Sequence, residues 1–287
     1  MASEVIHPTR REHMSFSQVQ LAAQCGEAYR RKYIEGAASG PENLPAMAGS
    51  AFHAAAEGWE TAYFRSDVPT AAAIANDDVW WSEQVELLEV MTKKALNESL
   101  DAYDGELITY GNQDLRFWRK EKIKGLAQTY LDYRRVEFER GFDWFGAGPE
   151  DSVEVECRAE IGGFPFLGMI DMIFLDSKGR TVIRDLKTGE SKGFHVMQLE
   201  QYRLALKRAH GVEAAYGQLL YVKRSKPYLQ VIDWNLEDGE IDEMVARVRA
   251  NVEGNTLMVN GPFTGHCAVC DFSADCPWGD VTAHGSS

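Results

Sequence analysis

The stretch Phe166-Leu-Gly-Met-Ile-Asp171-Met-Ile-Phe-Leu-Asp176-Ser-Lys-Gly-Arg180-Thr-Val-Ile-Arg-Asp185-Leu186-Lys187 decides the reading of this chain. Two apolar runs rich in strand-forming residues flank the polar segment Asp176 to Arg180, which contains Gly179 and signals a hairpin. With the turn centred near Lys178, residue i of the first strand pairs with residue 356 − i of the second, so Asp171 faces Asp185. Facing residues have Cβ atoms about 5 Å apart. Lys187 lies two positions beyond Asp185 and shares its face. Opposed carboxylates repel unless a cation lies between them, and a divalent metal held there can activate water. The other reading is a polar strand face whose aspartates are solvated or paired with Arg184 and Lys187. The pattern alone does not separate the two, and the rest of the chain has to.

At 287 residues and 45% hydrophobic content, the chain suits one large domain, or a domain with a substantial insertion, built on a real core. No apolar run reaches the roughly eighteen residues of a membrane span. The opening Met1 to Arg11 lacks the apolar centre of a secretory signal, so a soluble cytoplasmic protein is expected. The net charge of −14 argues against a broadly basic nucleic-acid coat. It does not exclude a nuclease, because carboxylates gather where metals bind and a local basic groove can coexist with an acidic remainder. Arg30-Arg31-Lys32, the run Arg116 to Lys124, Arg134-Arg135, Arg203 with Lys207-Arg208, and Lys223-Arg224 with Lys226 are the candidates for that groove. Each cluster by itself reads as a solvated helix face.

Helical composition begins behind a serine cap at Ser15 to Ser17 and runs to Cys25, and Gly36 to Pro45 reads as loop. Ala46 to Phe64 is helical, with His53 and Glu57 one turn apart. Thr70 to about Tyr103 and Leu115 to about Arg140 follow as long amphipathic helices. Trp80, Trp81, Trp118, Tyr130, Tyr133 and Phe138 are spaced for core packing in that layer, with base stacking the lesser reading. From Ser152 to Ile161 the period becomes two, and Glu154 and Glu156 both flank that strand. After the hairpin come a helix at His195 to Ala209, strands at Ala215 to Lys223 and Leu229 to Trp234, and a helix at Leu236 to Val252. This order implies an α/β fold: a mixed sheet with helices on both faces and a helical insertion before it. The cysteines number five, an odd count that does not look like a disulfide framework. Three of them, Cys267, Cys270 and Cys276, crowd one short segment, whereas Cys157 on a strand reads as an ordinary buried thiol.

Several short motifs occur in a fixed order: Gly49-x-x-x-His53, Gly168-x-x-Asp171, Asp185-x-Lys187 and Gln198-x-x-x-Tyr202. Together with Ser15-Phe-Ser17, Cys25, Tyr29 and Tyr33 at the start and Cys267-x2-Cys270-x5-Cys276-Pro277 at the end, they resemble the RecB-like branch of the PD-(D/E)xK nuclease superfamily. The closing segment with Cys25 is similar to its four-cysteine iron–sulfur subset, which includes AddB-type nuclease domains, CRISPR-associated RecB-like exonucleases and related phage exonucleases. The resemblance spans residues 15 to 278 and implies a restriction-endonuclease-like sheet. On that pattern residues 1–287 form one nuclease domain: 15–45 the first helix and first cysteine, 46–145 the helical region, 151–235 the catalytic sheet core, 236–278 the last helix and cysteine segment.

The resemblance also implies roles. His53, Asp171, Asp185 and the backbone carbonyl of Leu186 would hold Mg²⁺ or Mn²⁺. Lys187 would orient the attacking water or stabilise charge on the phosphate. Gln198 and Tyr202 would line the site and contact the substrate backbone, with Glu156 a weaker candidate for holding the metal or the lysine. Cys25, Cys267, Cys270 and Cys276 would carry a structural [4Fe–4S] cluster that staples the two chain ends, with Zn²⁺ as the alternative. The expected activity is a metal-dependent DNA exonuclease acting on single strands or DNA ends in recombination, repair or phage DNA processing, inside a bacterial, archaeal or phage-infected cell. The alternatives are a CRISPR spacer-precursor processing nuclease and a non-cleaving DNA-binding subunit of a larger complex. Recombination, repair or CRISPR adaptation proteins would be the partners, and a homo-oligomer is left open.

Overall fold

The computed structural model describes residues 13–37, 42–65, 77–105, 107–109, 113–189, 193–223, 226–254, 256–259, 261 and 266–277. The expected helix start at Thr70 and the candidate groove residue Arg224 lie outside them, as does part of the loop after Gly36. The helices are α1 (Phe16–Gln24), α2 (Gly26–Tyr29), α3 (Leu44–Arg65), α4 (Asp78–Ala102), α5 (Ile123–Glu139), α6 (Phe194–His210) and α7 (Asp238–Glu253). The strands are β1 (Asp143–Trp144), β2 (Val153–Ile161), β3 (Phe164–Leu175), β4 (Thr181–Lys187), β5 (Tyr216–Tyr221) and β6 (Tyr228–Ile232). They form one mixed six-stranded sheet in the order β1-β3-β4-β5-β6, with β2 also paired to β3. The β4–β5 pair is parallel, while β1–β3, β3–β4 and β5–β6 are antiparallel. Among the described residues no helix is long and apolar enough to cross a membrane.

The β3–β4 hairpin has the register read from the sequence: Met172 pairs with Arg184, Ile173 with Ile183, Phe174 with Val182 and Leu175 with Thr181. Its turn is closed by hydrogen bonds from Gly179 N–H to the Asp176 carbonyl at 2.8 Å and from Asp176 N–H to the Arg180 carbonyl at 3.0 Å. Gly179 has φ +72°, a left-handed conformation that glycine adopts without strain. Because side chains alternate across a strand, β4 and β5 present two distinct faces. Leu186, Leu220 and Val222 join the apolar core made by α3, α4 and α5. Asp185 and Lys187 face the other way, toward α6, where Lys187 reaches Gln198.

The chain divides into two compact units. The larger, Glu42–Glu156 with Met169–Asn235, holds the helical core. There Phe52, Trp59, Trp81, Leu88, Ile123 and Tyr130 are buried, and the aromatic residues read as core from their spacing do pack as core. The Trp59 and Tyr63 rings stack with centroids 5.5 Å apart, and Tyr130 meets Phe52 edge-on at 5.9 Å. Truncating a buried tryptophan such as Trp59 to alanine costs about 3–5 kcal/mol. The long helix expected from Leu115 is interrupted by a π-helical turn at Trp118–Lys122. Trp118 and Ile123, five residues apart, are both buried, a spacing that a wide turn serves and an α-helix does not.

The smaller unit comprises Met1–Pro41, Cys157–Gly168 and Leu236–Ser287. Its first helix follows Ser15, whose backbone is extended as a cap requires. Ala22, Tyr29, Tyr33 and Val252 form one apolar cluster, and Cys25, Ala28 and Phe272 another. The N–H of Gly162, in the β2–β3 turn, donates to the Asp242 carboxylate at 2.8 Å. Cys157 is fully buried.

Candidate active site

Helix α3 brings His53 to the aspartates. Gly49, one turn earlier, makes the approach feasible: a Cβ there would fall 2.6 Å from Thr188 Oγ1, just beyond the end of β4. His53 Nδ1 then lies 3.6 Å from Asp171 Oδ2. Burial holds the imidazole below its ordinary value, against the opposing pull of Asp185, so the ring is neutral near pH 7 and has a lone pair to offer.

The regular β3–β4 ladder ends at Met172–Arg184, one pair short of the two aspartates. At that point Asp171 Oδ2 accepts the Leu186 N–H at 2.7 Å, which ties the carboxylate to the backbone of β4. Burial pushes the Asp171 carboxyl up to about 6, with Leu186 and Lys187 restraining the rise and Glu57 adding to it. Asp185 is pushed up to about 7, by burial and then by the charge of Asp171. Buried carboxyls pushed up in this way are stabilised as anions by a cation placed beside them.

Lys187 Nζ is 2.5 Å from Asp185 Oδ2 and donates to Gln198 Oε1 at 2.9 Å. Gln198 Nε2 in turn donates to the Tyr202 hydroxyl at 3.0 Å. Burial holds the Tyr202 phenol above its ordinary value, so it stays protonated. The helical spacing of Gln198 and Tyr202 thus delivers an oriented chain, Lys187–Gln198–Tyr202, on the α6 side of β4. Leu186 contributes its N–H to Asp171 and its side chain to the core.

Two acidic residues that the sequence did not single out as ligands also face this place. Glu57 follows His53 by one turn and is exposed in the same cleft. Glu154 has φ +48° within β2, a left-handed backbone that is uncommon for a residue other than glycine. Burial first, and then the charges of Asp171, Glu57 and Asp185, push its carboxyl up to about 7. Strand alternation offered Glu154 and Glu156 equally, and only the irregular backbone distinguishes them. Glu156 is exposed, and its backbone carbonyl accepts from His210 at 2.9 Å. His53, Glu57, Glu154 and Asp171 border an open cleft of ≈ 520 Å³.

Among the described residues no three His, Cys, Asp or Glu side chains converge tightly enough to form a ready-made metal shell. The donor types nevertheless fit a hard divalent cation: carboxylate oxygens, one neutral imidazole, and carboxyl groups whose proton affinity is raised by burial and then by neighbouring carboxylates. The cysteines are all free thiols, and the four expected to hold a cluster are not drawn into a ligand set. Cys25 and Cys267 are buried, while Cys270 and Cys276 are partly exposed. Burial, and then neighbouring thiols, push Cys267 up; burial comes first for Cys270 too.

The crystal structure of SSO0001 aligns with 18% sequence identity over 68% of this chain and 80% of that one, at a TM-score of 0.34. No curated protein matches the sequence significantly. The family model of the PD-(D/E)XK nuclease superfamily matches residues 13–277, nearly the whole sequence. The chain therefore belongs to the PD-(D/E)XK nuclease superfamily, whose members are metal-dependent nucleases.

Proposed function

We propose that this protein is a DNA exonuclease of the RecB-like branch, hydrolysing phosphodiester bonds of single strands or DNA ends during recombination, repair or phage DNA processing. The observation that carries this reading is the approach of His53 to Asp171 at 3.6 Å beside the Asp185–Lys187 pair at 2.5 Å. Asp171, Asp185, His53 and the Leu186 carbonyl would hold Mg²⁺ or Mn²⁺, with Glu154 and Glu57 near enough in the cleft to contribute. The bound ion supplies Lewis-acid polarisation of the phosphate and a lowered pKa for water. The protein residues do the rest. Lys187, held by Gln198 and Tyr202, places an ammonium where charge grows on the phosphate oxygens or where the attacking water must point. In-line attack of that water on phosphorus forms one P–O bond as the bond to the 3′ oxygen breaks, leaving a 5′-phosphate and a 3′-hydroxyl.

A structural [4Fe–4S] cluster on Cys25, Cys267, Cys270 and Cys276 belongs to the same proposal. It is supported by the Cys267-x2-Cys270-x5-Cys276 spacing and by Gly261, where a Cβ would come 2.9 Å from Cys267 Sγ and 3.3 Å from Cys25 Sγ. Only a residue without a side chain leaves space beside both sulfurs. The reading is tested with 5′- and 3′-labelled oligonucleotides in Mg²⁺ and in Mn²⁺. Wild-type protein is expected to shorten them from an end, and Lys187→Ala protein to leave them intact; equal degradation by both would refute it.

A further inference from the structure

Directly behind the candidate site, on the opposite face of β4, lies a closed chain of buried charges. Arg184, the residue before Asp185, is 1% exposed. Its guanidinium forks onto the Glu137 carboxylate of α5, with Nη1 2.8 Å from Oε2, and also donates to Gln218 Oε1 of β5 at 2.6 Å. Glu137 Oε2 receives Arg134 Nη1 at 2.7 Å. Arg134 continues to Glu60 of α3, with Nε 2.8 Å from Oε1 and Nη2 3.1 Å from Oε2. The Tyr130 hydroxyl closes the chain by donating to Glu60. Glu60, Arg134 and Glu137 are at most 2% exposed.

Two guanidiniums face two carboxyls, one of which, Glu60, burial holds above its ordinary value, so the network is not a source of added negative charge for the site. Nor is it an economical way to stabilise a core, because well-packed apolar residues of similar volume do at least as well. Its distinctive property is directional. Each guanidinium fork accepts only a narrow geometry, and the forks link α3 and β4, which both carry site residues, through α5. Glu60 lies two turns beyond His53 on α3, and Arg184 adjoins Asp185 on β4. Between the network and the acidic cleft is a cavity of ≈ 20 Å³ bordered by His53, Glu60, Tyr130, Asp171 and Arg184. That is room for a single water molecule.

We propose that Glu60, Arg134, Glu137 and Arg184 are positioning residues that fix the register of α3 against β4, and so the distance from His53 to the two aspartates. The inference rests on the reading of those three residues as metal ligands. Supporting groups of this kind change metal affinity by about 10- to 100-fold when removed. The test is calorimetric titration of the full-length protein with Mn²⁺, well below the melting temperature, for wild type, Glu60→Leu, Tyr130→Phe and Asp171→Ala. Glu60→Leu is expected to weaken Mn²⁺ binding about tenfold or more in folded protein, and Tyr130→Phe to weaken it measurably but less. If Glu60→Leu does not fold, Tyr130→Phe, which loses one oxygen, decides alone. Binding lost in Asp171→Ala but unchanged in the folded network variants overturns this proposal and spares the metal site. Wild-type protein that binds no Mn²⁺ overturns both.

Discussion

Lys187 Nζ lies 2.5 Å from Asp185 Oδ2 on the same face of one strand, with Gln198 as its second partner at 2.9 Å. The lysine therefore engages one of the carboxylate oxygens that a bound metal would use. Replacing Lys187 by Met is expected to lower the DNA cleavage rate about a hundredfold or more, the cost of losing a preorganised electrostatic group. The same change should leave Mn²⁺ binding intact or tighter, because a competing cation has gone. Asp185→Asn should lose both. Single-turnover cleavage with parallel Mn²⁺ titration checks the contrast, and equal loss of metal binding in the two variants would remove Lys187 from a chemical role.

The carboxyls of Asp171, Asp185 and Glu154 sit at about 6, 7 and 7, above their ordinary range near 4. In the pH window between those values the folded chain keeps protons that the unfolded chain has released. Their stabilising contribution is therefore complete below about pH 4 and disappears as pH rises through about 7. Metal-free protein should lose melting temperature between about pH 5 and pH 8, and Mn²⁺ should raise the melting temperature more at the higher pH. Asp185→Asn should flatten that decline. Thermal melts with chelator and with Mn²⁺ measure it, and an Mn²⁺ increment that shrinks with rising pH would contradict it.

Gly49 matters through a single distance, the 2.6 Å from its hypothetical Cβ to Thr188 Oγ1. Gly49→Ala should push α3 away from the end of β4, costing about 1–3 kcal/mol and moving His53 from Asp171. Thr188→Ala removes the obstructing oxygen. The double variant should recover most of the stability and cleavage lost in the single one. Failure to recover, in melts and cleavage assays side by side, would place the effect elsewhere.

What the sequence revealed was local. The hairpin register followed from two apolar runs and one turn, and the aromatic core followed from helical spacing, because both depend on neighbours in the chain. Glu60 and Arg134 are 74 residues apart, and Arg184 and Glu137 are 47 apart, so no pattern of spacing announces their network. Glu154 and Glu156 stayed undistinguished for a different reason. Alternation assigns a face only where the backbone is regular, and at Glu154 it is left-handed. The π-helical turn at Trp118–Lys122 likewise breaks the periodicity from which a helix is inferred.

The cysteine proposal has its own consequence. Protein purified without oxygen should contain iron and sulfide and absorb visible light, and Cys25→Ser or Cys276→Ser should lose that colour together with thermal stability. Stoichiometric zinc in a colourless wild-type sample would assign the thiols to Zn²⁺ instead.

The central claim is that the two aspartates at the end of the hairpin run a nuclease. It is tested most directly by incubating wild-type and Asp185→Ala protein with end-labelled single-stranded DNA and Mn²⁺. Wild-type protein is expected to release short 5′-phosphorylated products, with none from the variant and no release by either protein in chelator. Cleavage by Asp185→Ala at the wild-type rate would contradict the account.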